Sequence, residues 1–92
     1  LILLKKIIRT NRFKKDVKKM KKRGKSFDVF KQIIQKLANG RKLEERFRDH
    51  KLKGDYMGTR ECHVEPDWLL IYEENDSELV LIRTGTHSDL FG

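Results

Sequence analysis

The spacing of apolar residues changes along the chain, from a helical pattern in its first part to strand-like runs in its second. Residues 2–9 are mostly aliphatic, and this run predicts a strand. In the next segment Phe13, Val17 and Met20 lie at positions i, i+4 and i+7, as on one face of a helix. Asn11 is a residue type that can cap the start of this helix. The chain therefore opens with a predicted strand and a predicted helix that has a narrow apolar stripe.

A second helix is predicted after the first, and the two form an antiparallel hairpin. Gly24 is a natural C-terminal stop for the first helix, and Ser26 can cap the second, which ends near Asn39-Gly40. Residues 41–57 have no clear period, which predicts a structured loop with one helical turn. The apolar residues on the buried side of the second helix are predicted to be Phe27, Phe30, Ile33, Ile34 and Leu37.

The remaining segment has the pattern of an antiparallel meander. Residues 59–65 alternate between two kinds of side chain, as in a strand with two unlike faces. Pro66-Asp67 predicts a turn, after which residues 68–72 and 79–82 form two continuous apolar runs. A turn signal, Asn75-Asp76-Ser77, separates the two runs. Runs without alternation are typical of central strands.

The predicted order of elements is strand, helix, helix, strand, strand, strand. It predicts an α+β fold in which a two-helix hairpin packs on one face of a small antiparallel sheet. A chain of 92 residues is expected to form one domain, residues 1–92, too small to enclose a large cofactor cavity. We therefore expect an open, shallow functional site without a cofactor.

The net charge of +8 is unevenly distributed. Residues 1–53 contain 20 basic and 5 acidic residues, whereas residues 54–92 contain 2 basic and 9 acidic ones. The basic part predicts a polyanionic partner, since Lys and Arg near phosphates release counterions and steer association. A merely solvated face and a membrane-surface helix are the alternatives. The thin apolar stripe, which lacks Trp, disfavours the membrane alternative.

Cysteine usage and the apolar start bear on the compartment. The single cysteine, Cys62, cannot form an intrachain disulfide, which fits a reducing compartment, and it is predicted to be a buried packing residue. The apolar start at residues 1–4 is interrupted by Lys5 and Lys6 before it reaches the length of a signal sequence. No other segment approaches the length of a membrane span. We expect a soluble, cytoplasmic protein that makes no membrane contact.

The candidate catalytic residues are His50, His63, Asp67, Arg83 and His87. Cleavage of RNA through its 2′-hydroxyl needs a base, a cation for the phosphoryl oxygens and an acid for the leaving group. These residue types supply all three functions, and the chemistry needs no metal. A zinc site is disfavoured, because no two of these residues stand at the short local spacing of a zinc motif.

Each candidate also has a purely structural interpretation. A histidine in a β-rich domain is more often a surface or packing residue than a catalyst. Asp67 beside Pro66 is a common turn residue, and Arg83 can pair with a carboxylate at a strand end. On composition alone, Trp68 and Phe91 are expected in packing more often than in base stacking, although aromatic side chains often hold single-stranded RNA.

Three segments of the chain resemble the YafQ branch of the RelE/ParE toxin superfamily. They are Asp49-His50, residues 63–72 with the motif H-V-E-P-D-W, and residues 83–92 with the motif R-T-G-T-H. The resemblance implies a ribosome-dependent mRNA endonuclease, the toxin of a type II toxin–antitoxin pair, on a fold of two helices and an antiparallel sheet. It also implies a cognate antitoxin that neutralises the toxin by tight binding, with operator DNA reached only through that complex.

The resemblance further implies a set of active-site positions, all of which are present in this chain. They are His50, His63, Asp67, Trp68, Arg83, His87 and Phe91. On this basis we expect His87 to be the general acid. Asp67, together with His50, is expected to accept the proton of the 2′-hydroxyl.

His63 and Arg83 are expected to orient and neutralise the scissile phosphate, and Phe91 and Trp68 to hold the flanking base. The sequence allows the roles of His50 and His63 to be exchanged. The basic first helix is expected to anchor on ribosomal RNA. The residues assigned to this contact are Lys14, Lys15, Lys18, Lys19, Lys21, Lys22 and Arg23.

Two other function classes fit parts of the pattern. A ParE-like gyrase inhibitor would share the fold, since one scaffold hosts several functions, but it would not need the set of His, Asp and Arg residues. A basic RNA-binding or nucleic-acid-packaging module without catalysis would explain the helices. It would leave the histidines of the other part of the chain unexplained.

Overall fold

The computed structural model describes residues 4–92. Residues 1–3, which hold most of the apolar start and the beginning of the predicted strand at 2–9, lie outside the described residues. The two 3₁₀ turns Glu45–Phe47 and Gly54–Tyr56 lie in the loop predicted over 41–57. The helices and strands are β1 (Lys6–Arg9), α1 (Asn11–Lys22), α2 (Asp28–Ala38), β2 (His50–Lys51), β3 (Arg60–Glu65), β4 (Trp68–Glu74), β5 (Glu78–Gly85) and α3 (His87–Phe91).

The strands form one five-stranded sheet in the order β1-β5-β4-β3-β2. The predicted α+β fold with a helical hairpin is confirmed, and the meander from β2 to β5 is antiparallel throughout. The prediction of a purely antiparallel sheet is wrong at one edge, because β1 pairs with β5 in parallel, with Ile7 opposite Leu79. Parallel neighbours need a long connection, and here the helices and three strands lie between β1 and β5.

Two of the predicted helix caps are displaced by one residue. Thr10, not Asn11, caps α1, since its hydroxyl accepts a 3.0 Å hydrogen bond from the backbone N–H of Phe13. Phe27, not Ser26, occupies the capping position of α2, without a side-chain hydrogen bond. The predicted stop after α1 is confirmed. Gly24 follows the helix with a φ of +79°, a backbone conformation that favours glycine.

The main core lies between the helical hairpin and one face of the sheet. Phe30 stacks on Trp68 with ring centroids 5.2 Å apart, and Phe27 meets the edge of the same indole at 5.1 Å. The Trp68 ring N–H donates a 2.8 Å hydrogen bond to the hydroxyl of Thr84, so its polar atom is also satisfied inside the core. These contacts fix α2 against β4 and β5.

The opposite face of the sheet is covered by a smaller apolar cluster. Leu90 of α3 packs there against Leu69 and Ile71 of β4. The partly buried residues that complete the cluster are Leu52, Tyr56 and Ile82. This second cluster holds α3 and the loop before β3 on the sheet. Within residues 4–92, no helix combines the length and the apolar character needed to cross a membrane.

Candidate active site

The three histidine rings lie side by side on the outer face of the sheet. We call His50, His63 and His87 the histidine row. His50 begins β2, His63 lies in β3, and His87 is the first residue of α3. The ring centroids of His50 and His63 are 6.2 Å apart, and those of His63 and His87 are 5.8 Å apart. The fold therefore brings together three residues that are distant in sequence.

Asp67 lies beside one end of the histidine row, in the turn between β3 and β4. Its Oδ1 accepts a 2.9 Å hydrogen bond from the backbone N–H of His87 and lies 2.6 Å from Nδ1 of the same residue. The hydrogen bond from the His87 backbone, and then that from its ring, lower the pKa of Asp67. With Nδ1 held by Asp67, Nε2 is the His87 nitrogen left for proton transfer.

Glu61 is the site residue that reasoning from the sequence missed. Its side chain is only 7% exposed, and its Oε2 lies 3.2 Å from Nε2 of His50 and 3.7 Å from Nε2 of His63. Within residues 4–92, its Oε1 has no hydrogen-bond partner. The available signal was strand alternation, because Glu61 stands two residues before His63 and so shares its face. A buried carboxylate at this end of the row complements Asp67 at the other.

The loop before β2 fixes the position of His50. Nδ1 of His50 lies 2.6 Å from the carbonyl oxygen of Arg48, which requires a hydrogen on that nitrogen. The neighbouring Asp49 faces away from the histidine row, where its Oδ1 accepts hydrogen bonds from Arg60 Nε at 3.1 Å and the Tyr72 hydroxyl at 2.7 Å. Asp49 thus anchors the loop to the sheet, while His50 reaches the site.

Arg83 is held by a carboxylate of α1. Its Nε and Nη2 donate hydrogen bonds of 3.0 and 3.1 Å to Asp16, and this contact raises the pKa of the Arg83 guanidinium. Asp16 is buried between Phe13 and Met20 on the stripe predicted to be apolar, and it also accepts a bond from the Thr84 N–H. The structural interpretation of Arg83 is confirmed. Its contact with a phosphate remains a prediction for the part of the guanidinium that Asp16 leaves open.

The two aromatic candidates have opposite environments. Trp68 is 0% exposed and lies in the main core, because the register of β4 directs it toward the helical hairpin. The expectation that Trp68 holds a base is therefore not compatible with this arrangement. Phe91 is 51% exposed and meets Tyr56 edge-on at 5.7 Å, so one face of its ring is available for stacking.

The basic residues of α1 divide into two groups. Lys19 and Arg23 bond to Asp89 of α3, and the expected contact of these two residues with RNA stays a prediction. Lys21 is exposed, and its Nζ lies 5.8 Å from the centroid of the Phe27 ring. The other exposed basic residues assigned to this surface are Lys14, Lys15, Lys18 and Lys22.

The remaining titratable groups add no metal centre. Within the described part of the chain, no group of three or more His, Cys, Asp or Glu side chains is arranged to hold a metal ion. Cys62 is buried as predicted, and burial raises the pKa of its thiol. A surface groove of about 680 Å³ lies beside residues 40–45, and no residue of the histidine row lines it. The side chains of His50 and His87 are about half exposed, whereas that of His63 is only 13% exposed.

Comparison with known proteins gives concordant matches. The family model for the YafQ toxin, described as a bacterial toxin of type II toxin–antitoxin systems, matches residues 5–92. A protein of Escherichia coli named mRNA interferase toxin YafQ is 43% identical over 84 residues, which are 90% of this chain and 91% of that protein. A putative toxin YafQ of Haemophilus influenzae is 38% identical over 56 residues, covering 56% of this chain and 55% of that protein.

Solved structures agree with the sequence matches. The toxin in the E. coli DinJ-YafQ toxin–antitoxin complex superposes with a TM-score of 0.90 at 41% identity, covering 98% of this chain and 100% of that one. A metal-bound toxin from Helicobacter pylori superposes with a TM-score of 0.87 at 36% identity, with the same coverage of 98% and 100%. The chain therefore belongs to the YafQ family of bacterial toxins from type II toxin–antitoxin systems.

Proposed function

We propose that this toxin is an endoribonuclease that cleaves mRNA on the ribosome by acid–base catalysis. The observation that carries the proposal is the histidine row with a carboxylate at each end, Asp67 and Glu61. The E. coli relative is named an mRNA interferase, which favours this function over a gyrase inhibitor or a packaging module. Neither of those alternatives needs paired acids and bases on one open face.

His87 is the general acid in this proposal. The 2′-oxygen of the RNA attacks phosphorus, the bond from phosphorus to the 5′-oxygen breaks, and a 2′,3′-cyclic phosphate remains. Protonated His87 gives its Nε2 proton to the departing 5′-oxygen, while Asp67 holds Nδ1. The carboxylate fixes the ring orientation and stabilises the charged imidazolium before the transfer.

The proton of the 2′-hydroxyl is accepted at the opposite end of the row. Displacement at phosphorus places the attacking and leaving oxygens roughly in line, so acid and base belong on opposite sides. Asp67 is a weak base while His87 lowers its pKa, and it lies on the acid side. We therefore assign proton acceptance to Glu61 and His50 as a pair, which revises the expectation for Asp67. His63, between the two ends, contacts the phosphate.

Binding partners follow from the same comparison and from charge. The relative solved as the DinJ-YafQ complex supports a cognate antitoxin as the partner that inhibits this chain. The exposed lysines of α1 support docking on ribosomal RNA, with mRNA reaching the histidine row from the ribosome. Phe91 then stacks on a base beside the scissile bond, since stacking tolerates any base.

Primer extension on a translated mRNA, with and without ribosomes, tests the proposal. We expect cuts only with ribosomes, and a loss of about 10²-fold to 10⁴-fold in rate for His87→Ala. The matched control is Ser88→Ala, an adjacent exposed residue of α3, which should cleave like the unmodified protein. Cleavage without ribosomes would contradict the ribosome requirement. Unchanged cleavage by His87→Ala would remove His87 from the mechanism.

A further inference from the structure

α3 carries two residues of the proposed site but is too short to be stable alone. It spans five residues, His87–Phe91, and begins with His87. Isolated helices of this length do not persist in water, so tertiary contacts must fix it. Its buried apolar residue is Leu90, on the outer cluster. Leu90, the contact of Phe91 with Tyr56 and the bonds of His87 to Asp67 tie α3 to the sheet and its loops. A second kind of contact ties it to the helical hairpin.

A cluster of charges supplies the second contact. Asp89 Oδ2 lies 2.6 Å from Arg23 Nη1, and Oδ1 lies 2.9 Å from Arg23 Nη2 and 3.1 Å from Lys19 Nζ. We call Asp89, Arg23 and Lys19 the Asp89 cluster. A two-pronged bond between guanidinium and carboxylate fixes orientation as well as distance. The Asp89 side chain is only 12% exposed, so this contact is less screened than an ordinary surface ion pair.

The same carboxylate also sets the start of α3. Asp89 Oδ2 accepts a 2.9 Å bond from the Thr86 N–H, while the Thr86 hydroxyl accepts a 3.1 Å bond from the Asp89 N–H. This reciprocal cap defines the backbone immediately before His87. A Cβ on Gly85 would lie 2.9 Å from Cβ of Asp89, so the close approach requires glycine at that position.

We propose that Arg23, through Asp89, is a positioning residue that holds α3 so that His87 reaches Asp67 and Phe91 faces the substrate. The end of α1 then belongs to the framework of the site. Lys19 adds a second positive charge to the same carboxylate. These bonds, with Arg23 as the chief cause, hold the pKa of Asp89 well below its usual range, so the carboxylate stays ionised under working conditions. Only the last step of the proposal rests on the proposed function, namely that the toxin cleaves RNA slowly when His87 is displaced.

Two variants test the Asp89 cluster from opposite sides. Arg23→Gln removes the guanidinium, and Asp89→Asn removes the charge while keeping an acceptor for the Thr86 cap. Lys36→Gln is the matched control, since it removes a 3.1 Å ion pair with Glu44 outside α3. In the free protein, we expect both test variants to speed amide exchange in α3 and to raise the pKa of Asp67 toward its ordinary value. The control should change neither quantity.

Cleavage on ribosomes completes the test. We expect each test variant to lose about tenfold to a hundredfold in rate, and the double variant to lose no more than the worse single one. Asp89→Asn removes a negative charge, so weaker RNA binding would not account for its loss. The positioning role would be overturned if amide exchange in α3 and the titration of Asp67 did not change. It would also be overturned if both changed while the cleavage rate stayed the same. Full cleavage by His87→Ala would instead refute the proposed catalytic role of His87. The measurements on the free protein would still show whether the Asp89 cluster positions α3.

Discussion

Asp67 binds His87 twice through a single oxygen, accepting a 2.9 Å bond from its backbone N–H and lying 2.6 Å from its ring Nδ1. The turn between β3 and β4 thereby controls both where α3 starts and how its first side chain is oriented. In the proposed mechanism this carboxylate therefore orients the general acid and does not act as the base. Because Asp67 lies on the acid side, that mechanism has its proton acceptor at the other end of the histidine row.

The first prediction concerns this contact. Asp67→Asn should lower the single-turnover cleavage rate by about 10²-fold to 10⁴-fold, because an amide can donate to Nδ1 and so favour the wrong ring tautomer. Ribosome affinity should stay the same. Asp76→Asn, in the exposed turn between β4 and β5, is the control and should leave the rate unchanged. An Asp67→Asn protein that cleaves normally would show that the contact has no catalytic role.

The second prediction separates function from stability at Glu61. Glu61→Gln removes a buried carboxylate that lacks a partner at Oε1 within residues 4–92, so the free energy of unfolding should not fall by more than about 1 kcal/mol. Cleavage should fall by at least about tenfold, because the pair that accepts the proton is disrupted. Glu65→Gln, the exposed position four residues later, is the control for both measurements. A stability loss without a cleavage loss would make Glu61 a structural residue.

The third prediction distinguishes the two aromatic candidates. Trp68→Phe should cost about 2 kcal/mol of unfolding free energy, since it leaves a cavity and removes the bond to Thr84, but the folded protein should cleave normally. Phe91→Ala should leave stability nearly unchanged and weaken substrate binding by about 1–3 kcal/mol. Denaturant titration and ribosome-bound cleavage measure the two effects. The reverse pattern would restore Trp68 to the site.

The fourth prediction concerns the exposed lysines of α1. Replacing Lys14, Lys15, Lys18 and Lys22 with Gln should weaken ribosome binding. The slope of log binding constant against log salt concentration should become shallower by about 0.7–0.9 for each phosphate that is no longer neutralised. The amide exchange of α3 should not change, since none of the four belongs to the Asp89 cluster. The same number of changes at Lys31, Lys36, Lys42 and Lys53 controls for net charge. If both sets weaken binding equally, the surface has no specific role.

The fifth prediction concerns how the stability of α3 depends on pH. The pKa values of Asp67 and Asp89 are lower in the folded protein than the ordinary value of about 4. Their contribution to stability is therefore complete above about pH 4 and is lost as the pH falls toward the folded values. As the pH falls below about 4, amide exchange should speed up in α3 before it does in the rest of the fold. In Asp89→Asn the loosening should already be present at neutral pH, and an identical acid profile would contradict the assignment.

Sequence reasoning predicted six of the eight helices and strands in residues 4–92, and it missed the short β2, inside the predicted loop, and the short α3. The period of Phe13, Val17 and Met20 identified α1. It could not show that Asp16 turns inward on the same stripe, because the hydrogen bonds that hold this carboxylate come from Arg83 and Thr84 of distant β5. The parallel pairing of β1 was likewise hidden, since strand direction depends on the path of the whole chain. Local propensity contains neither kind of information.

The candidate site was partly predictable for a related reason. The resemblance identified the positions of the histidine row and Asp67, but it did not give their orientation. Trp68 belongs to the same motif as His63, yet the register of β4 places it on the opposite face of the sheet. Glu61 was overlooked because a carboxylate in an alternating strand usually faces solvent. Only the tertiary structure shows that two histidines cover it.

The outer apolar cluster has an evolutionary consequence. Among residues 4–92, the main core includes no residue of α3, so the packing of the helical hairpin on the sheet does not involve the segment that carries His87 and Phe91. If the proposed mechanism holds, substitutions of His87 or Phe91 should lower cleavage while the main core stays intact. Loss of the whole helix would instead uncover Leu69 and Ile71 on the outer face of the sheet, so the two exposed residues His87 and Phe91 can vary more freely than Leu90, which covers that face.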